Sequence, residues 1–275
     1  MDHAARVYDN VLEMLPSEEN PSPLVRINAL NPAPASGLAL YAKLEWMNPF
    51  GSVKDRAAWE MIRDLEERGK LGPGGGSGKA TSGRTIVEPT SGNTGLSNAR
   101  AHERTTGPEI WRQTQGRVTH VFTSLGTCGT VTGLSRYLRT KNPGVKVYAV
   151  QPSPGHDVPG LRNTSELDVS KLFDRTLIDE IVEVDFEKAY TAALELARRE
   201  GLLAGPSSGL IFEGARQVLG RDFGGAASEG AASGGATSGG GASGGGAPVA
   251  VMIFCDNVFK YVNTMVRHVP ELAAE

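Results

Sequence analysis

Cysteine is scarce in this chain of 275 residues. The two present, Cys128 and Cys255, make neither a disulfide framework nor a zinc site of the usual spacing, and both are expected to be reduced. Long apolar runs are missing too. No stretch approaches the roughly 20 apolar residues of a membrane span, and Met1-Asp2-His3-Ala4 lacks the basic and then apolar pattern of a secretory signal. A cytoplasmic protein without a membrane partner is expected. Positive charge is not in excess either: 28 Lys and Arg against 31 Asp and Glu leave a net charge of -3, with the basic residues dispersed. Nucleic acid is therefore not an expected partner.

Glycine, by contrast, is abundant at 35 residues, and the excess is local. Residues 224–247 hold eleven Gly, seven Ala, four Ser, one Thr and a single charge, Glu229, which cannot bury enough apolar surface to offset ordering. That segment is expected to be a flexible surface insert, as is a shorter one at residues 72–83. The remaining length suits one large or two ordinary domains.

Along that remainder, residues 38–44, 85–88, 118–123, 146–150, 181–184 and 249–254 read as strands. Helical patterns fall between them, notably residues 131–140 and residues 186–200 with Asp185 as N-cap. Strands alternating with helices predict an α/β fold with a largely parallel sheet. The run 249–254 is nearly all apolar, as a strand buried on both faces should be.

Polar groups gather at three of the strand ends: residues 89–95, residues 126–130 and Cys255-Asp256-Asn257. Open parallel sheets place ligand-binding loops there. The middle one, Gly126-Thr127-Cys128-Gly129-Thr130, lies between a strand and a helix start, where exposed amides and the helix dipole favour a phosphate. It lacks the lysine of a nucleotide P-loop, so it reads either as a phosphate cradle without ATPase chemistry or as a structural turn.

A fourth feature is Asn48-Pro49-Phe50-Gly51-Ser52-Val53-Lys54-Asp55-Arg56. Ser52 and Asp55 have capping-box spacing, Ala58, Met61, Ile62 and Leu65 mark an inner helix face, and Gly69 is a stop. Lys54 then falls in the first turn, where the dipole favours a neutral, nucleophilic amine. It is either a catalytic lysine or a solvated one.

Taken in order, residues 23–26, 48–56, 88–95, 105–110, 126–133, 205–209 and 256–261 resemble the cysteine synthases, or O-acetylserine sulfhydrylases. These belong to the tryptophan-synthase-β-like pyridoxal phosphate (PLP) enzymes of fold type II. The resemblance implies two three-layer α/β/α domains: a large PLP-binding domain of residues 1–37 and 109–275, and a small mobile one of residues 38–108. It implies that Lys54 binds PLP covalently and later takes and returns the substrate α-proton. Gly126, Thr127, Cys128, Gly129 and Thr130 would hold the cofactor phosphate, and Asn93 would bond the ring hydroxyl oxygen. Thr90, Ser91, Gly92 and Thr94 would grip the substrate carboxylate. Asn257 stands where relatives usually place a serine against the pyridine nitrogen; a neutral partner there favours β-elimination over transamination. No metal is implied.

The implied reaction is β-replacement, making L-cysteine from O-acetyl-L-serine or O-phospho-L-serine and sulfide or another sulfur donor, in a homodimer. A cystathionine β-synthase-like enzyme and an inactive PLP-binding regulatory relative are the rivals. Three departures from the family pattern bear on this. Cys128 replaces a glycine in the phosphate loop, putting an oxidisable thiol near the cofactor. Arg162, in the closing loop of residues 155–163, is either a reader of a donor phosphate or a surface residue. After Gly95 the family continues through a helix, several strands and a substrate-binding glutamine, whereas here residues 96–102 lead almost at once into Thr105-Thr106-Gly107-Pro108. The small domain is expected to lack that segment.

Overall fold

A computed structural model of the protein describes residues 7–69, 93–166, 173–227 and 246–273. Its strands are β1 (Leu24–Ile27), β2 (Ala39–Leu44), β3 (His120–Ser124), β4 (Lys146–Pro152), β5 (Glu180–Val184) and β6 (Val249–Phe254). They form one six-stranded sheet in the order β1-β2-β6-β3-β4-β5. Only β1 runs antiparallel to its neighbour; β2, β6, β3, β4 and β5 are mutually parallel. The strand at 39–44, allotted from sequence to the small domain, therefore lies inside this sheet. The strand expected at 85–88 and most of the two glycine-rich inserts lie outside the described residues.

β6 is buried along its whole length between β2 and β3. Ala250, Met252 and Phe254 enter the core on one face of the sheet and Val251 and Ile253 the core on the other, so the strand has no polar side to show. The first core is closed by α5 (Phe186–Glu200), α6 (Pro206–Phe223) and α7 (Val262–His268), the second by α3 (Gly107–Gln113) and α4 (Gly129–Lys141). Local signals explain some boundaries: Asp185 caps α5 by accepting from the Glu187 amide, and Gly201 ends it at φ 70°.

The remaining helices, α1 (Lys54–Glu67) and α2 (Asn93–Ala101), pack on each other, and α2 also packs on α4. A π-helical turn over residues 102–106 joins α2 to α3, so residues 93–113 form one helical run. α4 lies close against it, because a Cβ at Gly133 would fall 2.2 Å from the Ala99 carbonyl oxygen.

α1 departs from its expected cap and face. Ser52 Oγ accepts from the Lys54 amide at 3.3 Å, two residues on, and Asp55 accepts from the Phe50 amide at 2.7 Å, so the reciprocal box does not close. The residues α1 buries are Asp55, Arg56, Ala57 and Glu60; Ala58 is exposed, and Met61, Ile62 and Leu65 are half-buried. Ion pairing accounts for this: Arg56 and Glu60 find charged partners that let them go inside.

Candidate active site

Because the five strands β2 to β6 are parallel, their carboxyl ends share one edge of the sheet, and the chain delivers its chemistry-bearing loops there. The loop after β2 carries Lys54, the loop after β3 is the 126–130 turn, the loop after β4 leads to Arg162, and β6 ends in residues 255–257. The Val53 amide donates to the Cys255 carbonyl at 2.9 Å, and Ser52 and Asp256 form a bridge. The exposed side chain of Lys54 is thereby held at the end of β6, close enough for its charge to act on Cys255 and Asp256.

The segment carrying Lys54 is fixed from below by a buried ion cluster that sequence reasoning missed. Arg56 pairs with both Glu45 (2.6 Å) and Glu109 (2.5 Å), while Lys43 pairs with Glu109 at 2.6 Å, all four nearly or fully inaccessible. Ser22, Thr105 and Gln113 complete the hydrogen bonding. Burial works to raise the Glu45 carboxyl, but the Arg56 charge and its hydrogen bond outweigh it and bring the group down to about 2. Two cations against two carboxylates make the cluster neutral, and this lets it remain buried.

The 126–130 turn has the features of an anion cradle. Gly126 and Gly129 admit close approach: a Cβ at Gly126 would meet the Gly160 carbonyl oxygen at 2.9 Å, and one at Gly129 would meet Asn98 at 2.6 Å. Thr127 and Thr130 are half-buried, with hydroxyls bonded from behind by Asn98 (3.2 Å) and His102 (3.1 Å). Cys128 caps α4 in the left-handed region, φ 64° and ψ 0°. Its side chain is buried, and desolvation pushes the thiol up to about 11, against a smaller opposing pull from Arg162. The oxidisable thiol expected from sequence is thus a poor thiolate. Arg162 itself is tied to the loop, its amide donating to the Leu125 carbonyl at 3.1 Å.

The remaining candidates are placed less completely. Asn257 Oδ1 accepts from the Phe259 amide at 3.2 Å as a helix cap, and its backbone bridges to Ala204. Thr90, Ser91 and Gly92 lie outside the described residues. The backbones of Asn93 and Thr94 open α2, but their side chains are outside the description.

The family model for pyridoxal-phosphate dependent enzymes matches residues 15–102 and 97–228. The chain belongs to this family. It is a PLP-dependent enzyme of the fold-type II architecture. Cysteine synthase B of Salmonella typhimurium is 32% identical over 267 residues, covering 72% of this chain and 84% of that one. Cystathionine beta-synthase of Apis mellifera is 25% identical over 296 residues, covering 77% of this chain and 57% of that one. A hydrogen sulfide-producing enzyme from Fusobacterium nucleatum superimposes with a TM-score of 0.74 at 21% identity, over 93% of this chain and 100% of that one, a likeness of fold. The residues present fit the cofactor of the family: a glycine-lined turn at a helix start offers amides and two hydroxyls to a phosphate, and a lysine amine stands at the same sheet edge. No helix among the described residues is long and apolar enough to cross a membrane.

Proposed function

We propose that the enzyme is a cysteine synthase, making L-cysteine by β-replacement on O-acetyl-L-serine or O-phospho-L-serine with sulfide or another sulfur donor. The observation that carries this is the meeting of Lys54, the 126–130 turn and the end of β6 at one sheet edge, together with the 32% identity to Cysteine synthase B. PLP, when bound, supplies the electron sink that makes the substrate α-proton acidic and lets the β-substituent leave. Lys54 holds the cofactor and carries the α-proton on its amine. Gly126, Thr127, Cys128, Gly129 and Thr130 bind the phosphate through amides and hydroxyls. Asn93 and Asn257 orient the ring, while Thr90, Ser91, Gly92 and Thr94 bind the substrate carboxylate. The reach of the Arg162 charge to the Cys128 thiol, in the phosphate turn, supports a role for Arg162 in favouring the phosphorylated donor.

A second reading, a cofactor-binding relative without synthase activity, draws support from the uninterrupted helical run over residues 93–113 and from two family matches that overlap at 97–102. Both support the absence of the family segment expected after Gly95. Two measurements separate the readings. Purified protein with PLP should turn yellow and the Lys54→Ala variant should not; a colourless parent ends both. Cysteine formation from either donor with sulfide should be measurable in the parent, and its absence in yellow protein favours the second. Arg162→Ala should slow turnover of O-phosphoserine more than that of O-acetylserine; equal effects would remove Arg162 from donor choice.

A further inference from the structure

The hydrogen bonds behind the phosphate turn are one-sided. Asn98 on α2 donates through Nδ2 to Thr127 Oγ1 at 3.2 Å. One helical turn later, His102 places Nε2 at 3.1 Å from Thr130 Oγ1 and Nδ1 at 2.8 Å from Thr106 Oγ1. His102 and Thr106 are wholly inaccessible to solvent. Burial, reinforced by the nearby Arg56 charge, holds the His102 ring down at about 3, so it is neutral near pH 7 with one N–H and one lone pair.

The geometry decides which nitrogen carries the proton. The buried Thr106 hydroxyl has one side-chain partner among the described residues, the His102 ring, so its proton belongs to the Nδ1 lone pair. The reverse tautomer would aim Nδ1–H at Thr106 and leave the Thr106 proton buried without an acceptor. With Nδ1 accepting, Nε2–H donates to Thr130. Each turn threonine then receives a donor from behind, and its own hydroxyl proton is left for the open side. A phosphate only accepts; a Thr130 whose proton was given to His102 would face it with lone pairs.

We propose that Asn98, His102 and Thr106 are positioning residues that orient the hydroxyls of Thr127 and Thr130 as donors to the cofactor phosphate. This rests on the turn being the PLP phosphate site. The first strand of the test is titration of the cofactor-free protein with PLP and with pyridoxal, which keeps the aldehyde but lacks the phosphate, followed by visible absorbance. Thr106→Val should bind PLP about tenfold to a hundredfold more weakly, as for a lost hydrogen bond to a charged group, with pyridoxal binding unchanged. Thr106→Ser should restore PLP binding. Unchanged PLP affinity in Thr106→Val, or equal losses for both aldehydes, overturns the proposal. A parent that binds neither aldehyde overturns the cofactor reading itself. The second strand needs no variant to fold: nitrogen-15 spectra of the histidine-labelled parent should show His102 protonated at Nε2, and protonation at Nδ1 overturns the assignment.

Discussion

At position 128 a side chain occupies a backbone conformation that favours glycine, φ 64°. The left-handed region costs an L-residue about 1–2 kcal/mol, which the burial of a small apolar thiol partly offsets. Cys128→Gly is expected to relieve the strain and lose the burial, changing stability by less than about 1 kcal/mol and keeping PLP binding. Cys128→Val puts a β-branched residue at the same φ and is expected to destabilise by roughly 1–3 kcal/mol. Urea denaturation of the two variants distinguishes strain from simple volume, which predicts the opposite order. Desolvation keeps both thiols protonated: buried Cys128 is pushed up to about 11 and half-buried Cys255 to about 12. Cys128 should not react with a thiol reagent at pH 8 until the protein is unfolded, and fast labelling of Cys128 in the folded protein would contradict the packing around it.

Among the elements, α1 depends most on charges it buries. Arg56→Met removes the cation that pairs with both Glu45 and Glu109, leaving two buried carboxylates with Lys43 as the remaining cation of the cluster. A loss of about 3–5 kcal/mol is expected, read as a lower denaturation midpoint, along with weaker PLP binding as the start of α1 loosens. A variant as stable as the parent would show that the cluster contributes nothing net. This was the part of the site least legible in sequence. β6 and α5 declare themselves locally, one by an apolar run and the other by its Asp185 cap, and the 126–130 turn by its glycines. Lys43, Glu45, Arg56 and Glu109 look like any solvated charges, because their partners come from β2, the turn after it, α1 and α3, up to 66 residues apart. The expected inner face of α1 failed for that reason: apolar spacing counts a charge as outward, and a paired charge need not be. Asn98 and His102 were equally silent, since what they bond depends on α2 and the π-helical turn after it lying across α4.

For the whole molecule, acid is the condition to which these buried groups respond together. His102 and His120 are held near 3 and near 4 by desolvation, below the ordinary 6.5. Below pH 6.5 the unfolded chain therefore takes up protons that the folded one refuses, and stability falls as the pH drops toward those values. Glu45, near 2 when folded against 4.5 when free, continues the loss below pH 4.5. Between pH 7 and pH 5 the expected decline is about 2 kcal/mol from His102, with a smaller share from the half-buried His120. Denaturation midpoints across that range check it, and His102→Gln should flatten the slope; a slope unchanged by that variant would place the pH dependence elsewhere.

The contact between Gly133 and the Ala99 carbonyl bears on movement. With only hydrogen where a methyl would strike backbone, the run from Asn98 through Thr106 is seated directly on α4. Amide hydrogens at residues 99–106 should exchange with solvent as slowly as those of α4, both with and without an amino-acid donor present.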